Sequence, residues 1–226
     1  MKHWPFKMEK KIVQTSDGSF TLYIPEWDEH YHSKFGALEE STHLFINYGL
    51  NAVKKSSIKV LEVGFGTGLN AFLTFIEGQK RKVKIHYETI EKYPLGKEEL
   101  SMLNYAEHNH GRYAELFEKL HSSPWEKEVE LDNDFVLLKR NTDLLDFRTT
   151  NKYNVVYFDA FAPDLQSELW SEQIFVMLHD CMEEDGVLVT YSTKGIVRRA
   201  LQSAGFMIEK IPGPEGGKKE NLRAWA

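Results

Sequence analysis

The feature that most constrains this chain is the run Val60-Leu61-Glu62-Val63-Gly64-Phe65-Gly66-Thr67-Gly68. A short apolar stretch ends in alternating glycines, and a helical pattern begins directly after them. Glycine is needed where the backbone turns sharply, or where a ligand lies against it with no Cβ in the way. The helix start offers free amides to an electronegative ligand. Strand, glycine turn and helix form the opening unit of a parallel sheet wrapped by helices. The chain continues in that alternation. Strands are predicted at 58–63, 84–90, 128–131, 135–139, 154–158 and 186–191, with a final pair at 206–211 and 221–225. Helices are predicted at 69–79, near 95–104 and 112–120, and at 170–182 and 195–204.

The segment before residue 57 reads differently. Residues 11–24 predict a hairpin around Ser16-Asp17-Gly18, because Asp-Gly is a strong turn signal. Residues 25–36 are irregular and rich in aromatics. Residues 38–53 have helical period, with Leu38, Leu44, Phe45, Tyr48 and Val53 on a common side. Residues 1–56 are therefore read as an addition in front of one main domain, 57–226; the chain is too short for two large domains.

Composition narrows the class. The chain is 42% hydrophobic and 27% charged, as in ordinary globular proteins. No apolar run approaches the ~18 residues of a membrane span, and the N-terminus lacks the apolar core of a signal peptide; a cytoplasmic protein is expected. The single Cys181 cannot form an internal disulfide and reads as a small buried residue. His30 and His32 are a close pair with no partner at ligand spacing, so no metal is expected. Net charge is −6, yet residues 194–226 carry +4 against −10 elsewhere. A local basic face on an acidic body can still bind phosphate, over a Debye length of ~8–10 Å.

The glycine run has a particular form. Its third glycine follows the second by two residues, not the three of the dinucleotide fingerprint. Glu62 stands two residues before Gly64. Both features resemble motif I of S-adenosylmethionine-dependent methyltransferases. Glu91 ends the second core strand, 23 residues past Gly68, where an acid binds ribose hydroxyls; alone it would be a solvated strand-end glutamate. Asp143 would accept from the adenine amino group, or merely cap a helix. Asp159 ends the most apolar strand and so lies over the cofactor crevice. Phe161 and Pro163 after it make a stiff, stackable wall.

Longer phrases resemble the bacterial tRNA 5-methylaminomethyl-2-thiouridine methyltransferases. They occur as half of a bifunctional enzyme and as single-domain proteins. The phrases are Phe35-Gly36-Ala37 with Glu40-Ser41 and Phe45-Ile46; Glu62 through Asn70; Glu91-Lys92-Tyr93-Pro94-Leu95; Phe158-Asp159-Ala160-Phe161-Ala162-Pro163 with Glu168-Leu169-Trp170; Lys194-Gly195-Ile196-Val197-Arg198-Arg199; Ala204-Gly205-Phe206; and Gly217-Lys218-Lys219-Glu220. Ala160 replaces a usual glycine, Asp164-Leu165-Gln166-Ser167 follows where a Lys-Asn-Pro segment is common, and Lys219 stands where an arginine is usual. No flavin-binding sequence is present.

The resemblance implies an α/β, Rossmann-like class I methyltransferase fold. That is a mostly parallel seven-stranded sheet with helices on both faces, here with the N-terminal hairpin and helix in front. It implies S-adenosylmethionine as cofactor, held by Glu62, Gly64, Phe65, Gly66, Gly68, Asn70, Glu91, Lys92, Asp143 and Asp159. It implies N-methylation of the aminomethyl group on a tRNA wobble uridine, with Asp159 orienting the amine and taking its proton. The base would stack on Phe161, with Tyr31, Phe35 and Trp27 as further rings. The anticodon stem-loop would be met by Phe161, Pro163, Arg198, Arg199, Lys218 and Lys219; the four cations read equally well as an exposed helix end and loop. A monomer is the working expectation, with the oligomeric state left open. Aminopropyltransferases and small-molecule amine methyltransferases share the fold, and a scaffold with a degenerate site is the non-enzymatic alternative.

Overall fold

The computed structural model describes residues 8–109 and 111–226. The first seven residues of the predicted N-terminal addition therefore lie outside the described residues. The centre is an eight-stranded sheet. Its parallel strands are β4 (Ser57–Val63), β5 (Lys84–Ile90), β7 (Phe135–Arg140), β8 (Tyr153–Phe158) and β9 (Met182–Thr190). Antiparallel strands close both edges: β6 (Glu128–Asp132) on β7, and β11 (Glu220–Trp225) with β10 (Met207–Pro212) on β9. The order across the sheet is β10-β11-β9-β8-β4-β5-β7-β6. The seven strands implied by the resemblance are corrected to eight: all eight segments read as strands join one sheet, with β6 folded back at Asp132-Asn133-Asp134 as an edge.

The central strands are largely buried on both sides, as a doubly covered parallel sheet requires, although β5 carries Lys84, His86 and Glu88 on one face. All of β8 is buried. Neighbouring residues of β4 enter different cores: Val60 joins one, Leu61 the other. The first core is built with α2 (Leu69–Arg81), α4 (Ala114–Ser122) and the helical run of the N-terminal segment. The second is built with α5 (Glu172–Asp180) and α6 (Gly195–Ser203).

In front lies a three-stranded sheet, β1 (Lys11–Gln14), β2 (Phe20–Ile24) and β3 (Glu29–His30). The hairpin appears as expected; β3 is an added strand inside the segment read as irregular. The helix expected at 38–53 is not uniform. It begins as α1 (Ala37–Ser41), continues in wide π-helical turns over Thr42–Gly49 and tightens to 3₁₀ at Leu50–Ala52. Close packing accompanies that change: a Cβ on Gly49 would lie 3.0 Å from both Tyr157 and Val189. The helix expected at 95–104 shrinks to α3 (Lys97–Leu100). The one expected at 170–182 starts at Glu172, after a tight turn at Ser167–Trp170, and gives way to β9 at Met182.

Candidate active site

At the carboxyl ends of β4, β5 and β8 opens a cleft of about 790 Å³. The topology explains its place: β5 and β8 lie on either side of β4, where the order of connection reverses. The floor is the glycine loop between β4 and α2. Gly64 has φ +92°, and a Cβ there would lie 2.7 Å from the Asp159 carbonyl oxygen. Gly66 has φ +47°, with the Tyr31 ring 3.3 Å from the position of a Cβ. The N-terminal segment thus packs directly on the loop. His32 strengthens the contact, its Nε2 lying 3.3 Å from Thr67 Oγ1. Burial holds the His32 imidazole down to about 4, so it is neutral at pH 7.

Of the ten predicted cofactor residues, Gly64, Phe65, Gly66, Asn70, Glu91, Lys92, Asp143 and Asp159 line the cleft. Glu62 and Gly68 do not. Glu62 is fully buried beneath the loop, where its Oε2 accepts from the Thr89 hydroxyl at 2.7 Å, and burial raises its pKa well above the usual range. Gly68 caps the start of α2, its N–H donating to the Phe65 carbonyl at 2.8 Å. Glu91 accepts from the Gly66 and Tyr93 amides at 3.0 and 2.8 Å. Asp143 accepts from the Leu145 amide and from Lys92 Nζ, so those two predicted residues pair with each other.

Asp159 sits where this arm of the cleft meets an aromatic one. Its Oδ2 accepts from Asn70 Nδ2 at 2.9 Å. Burial, and then the nearby Glu40, push its carboxyl up to about 7 against the pull of Asn70 and Lys218. Phe161 meets the Trp27 and Tyr31 rings edge-on, at centroid distances of 5.5 and 5.1 Å. Phe35, also lining the cleft, is 57% exposed. Pro163 is buried and does not line the cleft; the wall is completed by the N-terminal aromatics instead.

The basic residues separate. Lys218 lines the cleft, with Nζ 4.0 Å over the Tyr191 ring. Arg198 and Arg199 lie on α6 and Lys219 beside β11, all outside the cleft. Sequence reasoning gave no site role to Glu40, His32 or Tyr191. Tyr191 carried a signal as the end of an apolar strand, and Glu40 as part of a family phrase. His32 was weighed only as half of a close histidine pair, in a segment with no fixed spacing to the glycine loop.

Residues 101–226 match a family described as S-adenosyl-L-methionine-dependent methyltransferase. That span is more than half of the chain. The chain belongs to this family. Relatives of this methyltransferase include a Burkholderia multivorans protein named tRNA 5-methylaminomethyl-2-thiouridine biosynthesis bifunctional protein MnmC. It is 30% identical over 210 residues, covering 87% of this chain and 32% of the relative. A protein of the same name from Leptospira borgpetersenii is 31% identical over 213 residues, with 87% and 32% covered. The methyltransferase spans about a third of the length of these relatives. MnmC2 from Aquifex aeolicus superposes with a TM-score of 0.79 at 26% identity, over 97% of this chain and 71% of that one. Spermidine synthase from Thermotoga maritima, at TM-score 0.58 and 14% identity, shares the fold. The resemblance read from the motifs is the one these comparisons find.

The cofactor of the family is S-adenosylmethionine, and the residues present fit it. The cleft volume suits a nucleoside-sized ligand. Two oxygens of Glu91 hold one amide each, which leaves acceptor capacity for a pair of hydroxyls. The buried Asn70 Oδ1, on a side chain that lines the cleft, has no hydrogen-bond donor among the described residues and suits a cationic amino group. No helix among the described residues is long and apolar enough to cross a membrane. Nor does any described group of His, Cys, Asp and Glu form a metal site.

Proposed function

We propose that this methyltransferase acts on tRNA. It converts 5-aminomethyl-(2-thio)uridine at the wobble position to 5-methylaminomethyl-(2-thio)uridine. The observation that carries the reading is the place of Asp159, a half-buried carboxyl between the glycine-loop arm and the Trp27–Tyr31–Phe161 rings. The printed names of the relatives support the same reaction. Residues 57–226 form the catalytic domain, and the segment before them completes its cleft.

Each group then has a role. Glu91 takes the ribose hydroxyls and Asp143 the adenine amino group, which requires the Lys92–Asp143 pair to open or tilt. Phe65 walls the pocket beside them. Asn70 and the loop Gly64–Gly68 hold the amino-acid end, with the buried Glu62 bracing the loop from beneath. When bound, the cofactor supplies a methyl group made electrophilic by its sulfonium. That methyl would pass to the amine nitrogen with the sulfonium sulfur as leaving group, while this chain's part is to hold the amine in line and to accept its spare proton on Asp159. Asn70 anchors Oδ2, so Oδ1 is the oxygen that receives it. A pKa near 7 suits a group that must accept a proton near neutral pH. The wobble base, splayed from a single-stranded loop, stacks on Phe161 with Trp27 and Tyr31, while Arg198, Arg199 and Lys219 meet phosphates in the cytoplasm's tRNA pool.

Asp159→Ala tests the reading. Methyl transfer to an anticodon stem-loop carrying 5-aminomethyluridine is expected to fall about a hundred- to ten-thousandfold. Cofactor affinity by calorimetry should stay within a few-fold. A wild-type rate in this variant would overturn the role of Asp159. Transfer of an aminopropyl group from the decarboxylated cofactor to a polyamine by the wild type would replace tRNA with a polyamine as acceptor.

A further inference from the structure

A primary amine entering this cleft meets an unfavourable field. Glu29, Glu40 and Asp159 all line it. Carboxylates stabilise an ammonium and so raise the pKa of an amine, which for an alkylamine such as lysine starts near ~10.4. An ammonium has no lone pair and cannot accept a methyl group. Something in the cleft must oppose these acids.

The geometry points to Lys218. It was expected among the phosphate contacts, yet it lines the cleft rather than the outer face that carries Arg198 and Arg199. The loop between β10 and β11 brings it in, closed by the Gly213 amide donating to the Lys219 carbonyl at 3.0 Å. Its ammonium rests 4.0 Å over the Tyr191 ring. That ring is itself fixed, because Tyr191 Oη donates to the Ala160 carbonyl at 2.9 Å, one residue past Asp159. The position is therefore built rather than incidental. Of the other two lysines in the lining, Lys92 pairs with Asp143 and Lys34 lies near His30, while Lys194, outside the lining, pairs with Asp164.

We propose that Lys218 is a positioning residue that holds the acceptor amine in its neutral form. Its positive charge shares the cleft with the proton-accepting carboxylate and acts on it, and a second cation there is disfavoured. The inference rests on the proposed amine-methylating function. The charges that face Lys218 are Glu29 of β3, Glu40 of α1, Asp159 after β8 and Lys194 before α6, with Tyr191 after β9 beneath it. Burial lowers the pKa of Lys218, and Glu40, Glu29 and Asp159 pull it back. The sign is the same for both groups that must be deprotonated. Removing the cation raises the pKa of the amine, and it also raises that of Asp159, which Lys218 lowers.

The test is the pH profile of kcat/KM for methyl transfer to a stem-loop RNA carrying 5-aminomethyluridine. In Lys218→Met and Lys218→Gln the acidic limb should move about one unit to higher pH, with roughly tenfold loss at pH 7 and a retained high-pH plateau. Lys218→Arg should restore the wild-type limb. Kd for the RNA should change less than about twofold in each. An unmoved limb overturns the inference, as does a loss residing wholly in a salt-dependent RNA Kd, the signature of a phosphate contact. Wild type that fails to methylate this RNA overturns the proposed function and the inference with it, whereas active wild type with an unmoved limb overturns the inference alone.

Discussion

Burial holds the Asp159 carboxyl near pH 7 rather than at its ordinary 3.8. Between those values the folded protein binds a proton that the unfolded chain has already lost. Stability therefore falls as pH rises through that window, and the penalty is complete above pH 7. Asp159→Asn is expected to be more stable than the wild type at pH 8, by up to roughly 4 kcal/mol, with the difference gone below pH 3.8. Urea titrations at the two pH values check this; equal stability at pH 8 would show that the carboxyl is not raised. Gly64→Ala should fail differently. Its backbone is left-handed and its Cβ would press on the Asp159 carbonyl, so a loss of about 1–3 kcal/mol is expected together with loss of cofactor binding. Asp159 and Gly64 were legible because each obeys a local rule, a strand end and a turn. Glu40 was not, since only tertiary packing brings α1 to the carboxyl end of β8.

Elements were legible where burial sets a simple period. The central strands β4, β5, β7 and β8 came out within a residue or two, because apolar runs flanked by turns leave little choice. Misjudged elements are those that packing reshapes. The 38–53 helix widens where Gly49 meets the sheet, and β9 takes over early from the helix before it, through Asp185 at φ +62°. Long-range polar contacts were likewise invisible. Glu88 of β5 is buried, accepting from Tyr153 Oη of β8 at 2.6 Å and pairing with Arg140 of β7 at 3.0 Å. Glu88→Ala would strand a buried hydroxyl and a half-shielded guanidinium. A loss of about 2–4 kcal/mol in urea unfolding is expected, against less than about 1 kcal/mol for the exposed Lys210–Glu220 pair.

Across the whole molecule, charge and aromatic surface divide the work. The sequence showed a basic stretch at residues 194–226 but could not say which of its cations are paired. Lys194, Lys210 and Arg223 pair with Asp164, Glu220 and Glu209, and Lys218 turns inward. Arg198, Arg199 and Lys219 form none of these ion pairs and are the cations proposed to meet phosphate. Reversing Arg198 and Arg199 to Glu should weaken RNA binding and flatten its dependence on salt, by about one unit of log–log slope for each phosphate no longer neutralised, without changing cofactor affinity. An unchanged slope would place the RNA elsewhere on the surface. In the proposed function the cleft joins the cofactor to a tRNA amine at Asp159. Nucleoside mass spectrometry of bulk tRNA lacking the final methyl, incubated with the protein and S-adenosylmethionine, decides it. Conversion of 5-aminomethyl- to 5-methylaminomethyluridine species is expected, abolished in Asp159→Ala. Cofactor binding without that conversion, or a methyl on any other nucleoside, would rule the function out.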